Sequence, residues 1–105
     1  VSVLEKIKEQ IAGHDILLYM KGNPEQPQCG FSAKAVQLLN AVGEAYATVD
    51  ILQEPEIRQT LPQYANWPTF PQLYLKGDLV GGSDIMLELY ESGELHKMVA
   101  KAVEG

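Results

Sequence analysis

The sequence predicts an α/β fold in which one mixed four-stranded sheet carries helices on both faces. Three observations carry this. Ile16-Leu17-Leu18-Tyr19-Met20 is an unbroken apolar run of strand length, the pattern of a central strand covered on both sides. A helical stretch separates it from a second strand-like run, and a right-handed crossover of that kind makes the two strands parallel. Lys76-Gly77-Asp78 lies between two further strand-like runs and reads as a hairpin turn, which adds an antiparallel pair. Burying both faces of such a sheet requires a helical layer on each side.

The elements follow in order. Val3, Leu4, Ile7 and Ile11 repeat at helical spacing opposite Glu5, Lys6, Lys8, Glu9 and Gln10, which predicts an amphipathic helix ending at Gly13. The central strand comes next. Gly22 to Gln28, with two prolines and polar side chains, is a loop. A helix is expected from Phe31 or Ser32 to Asn40 or Val42, with Ala35, Val36, Leu39 and Val42 inward and Gly43 as its stop. Tyr46 to Asp50 reads as the second strand. Pro55 is a natural first-turn residue for a third helix through Leu61, limited or kinked by Pro62. Asn66 to Pro71 is rigid punctuation before strand Gln72-Leu73-Tyr74-Leu75 and, past the turn, Leu79-Val80. Gly81-Gly82 breaks that strand, and Ser83 or Asp84 is expected to cap a last helical region. That region contains Ile85, Leu87, Leu89 and Tyr90, is interrupted at Ser92-Gly93, and resumes with Leu95, Met98, Val99 and Val103.

With 105 residues, 46% of them hydrophobic, the chain is expected to form a single domain over residues 1–105 with one buried core. A net charge of −6 argues against a nucleic-acid partner and means that any anion site must be built locally, against the overall field. No apolar run approaches spanning length and the first residues carry no signal-peptide pattern, so no membrane association and a cytoplasmic location (or an organelle matrix, if a transit segment was removed) are expected. His14 and His96 stand far apart without metal-ligand spacing, and Glu88, Glu91 and Glu94 read as a solvated helix face.

Cys29 is the only cysteine. It directly precedes a predicted helix, where unpaired N–H groups and the helix dipole favour thiolate, the form that attacks disulfides and binds metals. A free cysteine is often a small buried hydrophobe, but a polar proline-stiffened loop, a glycine and a helix start are not the surroundings of one. A lone sulfur cannot close a disulfide within its own chain, so its chemistry needs a partner from another molecule.

Three separated motifs now matter: Lys21-Gly22-x-Pro24-x-x-Pro27-x-Cys29-Gly30-Phe31-Ser32, then Trp67-Pro68-Thr69-Phe70-Pro71-Gln72, then Gly81-Gly82-Ser83-Asp84-Ile85. In order and spacing they resemble the monothiol glutaredoxins of the Cys-Gly-Phe-Ser type, in their short single-domain class, and the resemblance spans essentially the whole chain. It implies a thioredoxin-like fold, glutathione binding, and a 2Fe-2S cluster held between two protomers. One departure is that Ser83 stands where many relatives have a second cysteine, which rules out an internal disulfide to Cys29 here.

The resemblance assigns Cys29 as nucleophile and metal ligand. Lys21 at a strand end and Arg58 in a helix would by position alone be ordinary solvated cations; the resemblance places both in the glutathione pocket, where a guanidinium clasps a carboxylate in a fork. The residues leave Phe70–Pro71 open between trans and cis. The resemblance implies cis, which would turn the Phe70 N–H and C=O outward to pair with the ligand's cysteinyl backbone like an added strand, and it counts Thr69 and Pro71 in the same glutathione-binding set. It gives Gly82, Ser83 and Asp84 the γ-glutamyl end, with helix-start N–H groups on the carboxylate and Asp84 on the ammonium; on position alone Asp84 is an N-cap. Trp67 and Pro68 are expected to shape a wall, Trp67 being equally readable as core filler, and Phe31 to shield a cluster or pack at a dimer contact.

Iron–sulfur ligation supplies an arithmetic. A 2Fe-2S centre takes four thiolate-type ligands, a two-fold dimer supplies two, and two glutathiones complete the shell. The first functional expectation is thus a glutathione-dependent homodimer passing its cluster to apo iron–sulfur client proteins; the resemblance, not the arithmetic, adds a BolA-like protein in place of one protomer as an alternative partner. The second is a thiol–disulfide oxidoreductase removing glutathione from mixed disulfides; the resemblance implies that it is weak at most, since the long Gly22–Gln28 loop is a mark of the carrier class and is expected to reposition glutathione relative to the sulfur. A glutathione- or cluster-sensing binding module is the third.

Overall fold

The computed structural model describes residues 2–104; Val1 and Gly105, the ends of the expected domain, lie outside the described residues. The elements run α1 (Val3–Ala12), β1 (Ile16–Met20), α2 (Gly30–Val42), β2 (Ala47–Asp50), α3 (Pro55–Ala65), β3 (Gln72–Leu75), β4 (Asp78–Gly81), α4 (Ser83–Ser92) and α5 (Glu94–Glu104). The sheet order is β2-β1-β3-β4. β1 and β2 are parallel, and the β1–β3 and β3–β4 pairs are antiparallel. This is the mixed thioredoxin-like sheet that the sequence pointed to.

β1 explains the layering. Its side chains alternate between two cores: Ile16, Leu18 and Met20 join α2, α4 and α5 on one face, while Leu17 and Tyr19 join α1 and α3 on the other. All five residues are buried, as a doubly covered strand requires. β3 repeats the pattern, with Leu73 and Leu75 on the first face and Tyr74 on the second. Lys76 and Gly77 both adopt positive φ in the two-residue β3–β4 turn, the combination whose twist matches the strands it joins.

Several boundaries differ from expectation. α3 continues through Pro62 to Ala65 instead of stopping near Leu61. Proline removes one intrahelical donor, but Ile57 and Leu61 are anchored in the core and Trp67 N–H closes the far end onto Pro62 C=O at 3.0 Å. Packing here overrides the local penalty. α4 is capped by neither Ser83 nor Asp84: Gly82 is the N-cap, and without a side-chain oxygen it makes no capping bond. β2 begins at Ala47 rather than Tyr46. Leu4 is 39% exposed because α1 turns Ile7 and Ile11 fully into the core, with Val3 partly buried against them, and leaves Leu4 on the outer side. In α2 Leu38 is buried while Val42 is only partly so, and in α5 Ala102, not Val103, faces inward.

Leu61 and Leu4 provide a paired test. Leu61→Ala should cost about 2–5 kcal/mol of folding free energy in urea denaturation, whereas Leu4→Ala should cost less than about 1 kcal/mol.

Candidate functional site

β1 ends at Met20, and the chain then makes a tight excursion before α2. Gly22 has φ of 86°, and a Cβ there would lie 2.4 Å from the Gln26 carbonyl oxygen, so only glycine fits. Gly22 N–H donates to the Asp50 carboxylate at 3.0 Å, Gln28 N–H donates to Lys21 C=O at 2.8 Å, and Asn23 Oδ1 accepts the N–H groups of Glu25 and Gln26. The loop is thus pinned to both strand ends, and it delivers Cys29 to the start of α2.

Cys29 is the N-cap of α2, in extended conformation. Its Sγ accepts Ser32 N–H at 3.3 Å and lies 3.3 Å from Ser32 Oγ. Ser32 is fully buried, and its Oγ accepts Lys21 N–H at 3.0 Å. With that N–H filling one side of the oxygen, the hydroxyl proton is available to an ionised sulfur. Burial is the largest influence on the thiol and pushes it up. The Ser32 hydroxyl, the N–H groups of Ser32 and Phe31, and the Lys21 charge together outweigh it, so Cys29 ionises below the usual thiol range. The sulfur is partly exposed, not sealed in the core.

Beside it lies a groove of about 540 Å³. Lys21 and Phe31 form the edge nearest the sulfur; Arg58 and Pro62 of α3 form a second side; Trp67 through Pro71 form the floor; and Gly82 through Ile85 form the wall opposite. Every predicted cofactor-binding residue except Cys29 lines this groove: Lys21, Arg58, Thr69, Phe70, Pro71, Gly82, Ser83 and Asp84. Cys29 stands next to it, coupled through Lys21 and Phe31. The Phe70–Pro71 bond is cis. A Cβ on Gly82 would approach Pro71 O to 3.2 Å and Trp67 Nε1 to 3.8 Å, so floor and wall meet at that glycine.

The electrostatics are local and positive. Among the described residues neither Lys21 nor Arg58 makes an ion pair. The α4 start, lacking a side-chain cap, leaves first-turn N–H groups without that partner. Asp84 is the one carboxylate in the lining, and Phe31, 64% exposed, is an apolar flag between groove and sulfur. An anionic peptide with one ammonium fits such a lining: cations and helix N–H groups for carboxylates, Asp84 for the ammonium, cis-proline backbone for a peptide unit. Among the described residues no three His, Cys, Asp or Glu side chains converge to hold a metal.

Pro62 and Ile85 entered the groove unforeseen, Pro62 because α3 was expected to end before it. Ser32 was quoted in a motif but given no role. Its signal was position: the third residue of a helix capped by Cys29 is the one whose N–H and side chain reach back to the cap.

Fold and groove together define a thioredoxin-like domain with one activated thiol at the lip of an open groove. Comparison with known proteins agrees. The glutaredoxin family model matches residues 16–80. Glutaredoxin 4 of Escherichia coli strain K12 is 61% identical over 98 residues, covering 93% of this chain and 85% of its own. The probable monothiol glutaredoxin GrlA of Legionella pneumophila is 61% identical over 87 residues, 83% of this chain and 98% of that one. The solution structure of reduced poplar apo GrxS14 superposes with a TM-score of 0.85 at 41% identity, covering 99% of this chain and 95% of that one. The chain belongs to the glutaredoxin family, in its monothiol Cys-Gly-Phe-Ser class.

The thiol environment predicts a pH dependence. The rate of Cys29 alkylation by iodoacetamide should rise with pH through a midpoint below that of an ordinary thiol. In Ser32→Ala the midpoint should move up, leaving less thiolate at neutral pH, and in Lys21→Ala it should move up by less.

Proposed function

We propose that this chain carries a 2Fe-2S cluster between two protomers and hands it to apo-proteins, with Cys29 and one glutathione from each protomer as ligands. The observation that carries the reading is a single activated sulfur standing beside, not within, a groove suited to an anionic peptide. A cluster of this type takes four thiolate-type ligands; each chain has one cysteine, so a two-fold pair leaves two positions for another thiol. Bound glutathione supplies that thiolate.

The residues divide the work. Lys21 and Arg58 hold a carboxylate of glutathione, the Phe70 N–H and C=O beside the cis bond hold its central peptide unit, with Thr69 and Pro71 flanking them, and the N–H groups at Gly82 and Ser83 with the Asp84 carboxylate hold its γ-glutamyl end. Phe31 excludes water beside the sulfur. Because half of the ligand shell is exchangeable, the cluster is cargo that loosens when glutathione leaves. Apo iron–sulfur proteins are the recipients, and a BolA-like protein in place of one protomer is a second mode of assembly. We place the 1–105 domain in a reducing compartment, the cytoplasm, where glutathione is available and a free thiol persists. No helix among the described residues is long and apolar enough to cross a membrane.

The lowered ionisation of Cys29 also favours a second reading, thiol–disulfide exchange. Cys29 thiolate attacks the glutathionyl sulfur of a mixed disulfide and releases the client thiolate. A second glutathione thiolate then attacks the Cys29–glutathione disulfide, giving oxidised glutathione and regenerating the enzyme thiolate.

Anaerobic reconstitution with iron, sulfide and glutathione separates the two. The carrier reading expects a coloured dimer that reverts to colourless monomer when glutathione is withdrawn, and no cluster in Cys29→Ser. Rapid turnover of a small glutathione mixed disulfide with no cluster formed contradicts it. Arg58→Ala should weaken glutathione binding about tenfold by calorimetry, the worth of one charge-assisted contact of about 1.4 kcal/mol.

A further inference from the structure

We propose that Gln72 is a positioning residue for this groove: its side-chain amide holds the floor loop in the shape that accepts an anionic peptide. The inference rests on the glutathione-binding reading above and deepens it. Gln72 opens β3 and is 0% exposed. Its Nε2 donates to Trp67 C=O at 3.0 Å and to Thr69 C=O at 3.2 Å, and its Oε1 accepts the Tyr74 hydroxyl at 2.8 Å. Both donors and the acceptor of the amide are therefore engaged, as a buried glutamine requires.

The network extends away from the groove. Tyr74 meets Tyr19 edge-on, with ring centroids 5.7 Å apart, and the Tyr19 hydroxyl donates to Gln10 Oε1 of α1 at 2.7 Å. Burial pushes the Tyr74 phenol up to about 12, so it stays protonated and remains a donor to Gln72 throughout the neutral range. A polar side chain at a fully buried strand position is costly where an apolar one would pack. What this one does is tie two carbonyls of the Trp67–Pro71 floor to the sheet.

The direction of those bonds bears on ligand class. The Trp67 and Thr69 carbonyl oxygens are engaged by the Gln72 amide; aimed into the groove instead, they would repel carboxylates. The floor then presents Trp67, Pro68 and the Phe70–Pro71 unit, and the groove keeps the positive character given by Lys21, Arg58 and the α4 start. Gln72 touches none of the reacting atoms; it acts through the loop.

Gln72→Met, which keeps the side-chain length and removes the amide, tests this. The expected result is a folded protein whose glutathione affinity by calorimetry is about tenfold weaker, whose segment 66–71 exchanges amide hydrogens faster, and whose Cys29 alkylation profile with pH is unchanged. Tyr74→Phe, which removes only the hydroxyl, should weaken glutathione binding by less and serves as the deciding variant if Gln72→Met does not fold. Wild-type affinity in folded Gln72→Met, or in Tyr74→Phe as the deciding variant, overturns the proposal. If the wild-type protein binds no glutathione, the proposed function fails instead, and the exchange rate of segment 66–71 alone decides the role of Gln72: faster in the variant supports it, unchanged overturns it.

Discussion

The buried hydroxyl of Ser32 joins the two elements on which the site depends. Its oxygen takes the N–H of Lys21 just past β1, and its other side faces the Cys29 sulfur at the start of α2. One small side chain therefore fixes the distance between strand end and helix start and stabilises negative charge on the sulfur. A thiol at a helix N-terminus is already favoured as thiolate; here burial works against ionisation, and the hydrogen bonds and the Lys21 charge reverse it. The Gly22–Gln28 loop is built to serve the same junction. It folds back on itself, ties to Asp50 of β2, and returns the chain to the point where Cys29 must cap the helix.

The groove is a composite, and no one element contains it. α3 contributes Arg58 and Pro62, the floor comes from the segment between α3 and β3, and the opposite wall is the first turn of α4. Gly82 lets floor and wall meet, since a side chain there would press on Pro71 O. The Gln72 amide holds the floor from beneath. A chain with net charge −6 thereby builds a small positive lining by leaving Lys21 and Arg58 without ion-pair partners among the described residues and the α4 start without a side-chain cap. In the proposed function, this lining is where an anionic thiol peptide completes the sulfur chemistry that a single cysteine cannot.

Much of this was legible in the sequence because it is periodic or punctuated. The apolar run at Ile16–Met20 announced a doubly covered strand, Gly43 and Gly93 announced helix stops, and both adopt the left-handed conformation that such stops use. The motifs around Lys21, Thr69 and Gly82 gathered around one groove although they lie far apart in the chain. The rest depends on tertiary context. Pro62 reads as a helix breaker until Leu61 and the Trp67 N–H are seen to hold the helix past it. Leu4 reads as core until α1 is docked and found to turn Val3, Ile7 and Ile11 inward and Leu4 out. Gln72 reads as the polar start of a strand; its role appears only once the floor loop lies against it.

The most direct test of the account is the composition of the intact assembly, read by native mass spectrometry of anaerobically reconstituted protein. The account predicts a species of two chains, one cluster and two glutathiones, following from one ligating sulfur per protomer. A cluster held by a single chain, or a cluster-bearing dimer without glutathione, would contradict it.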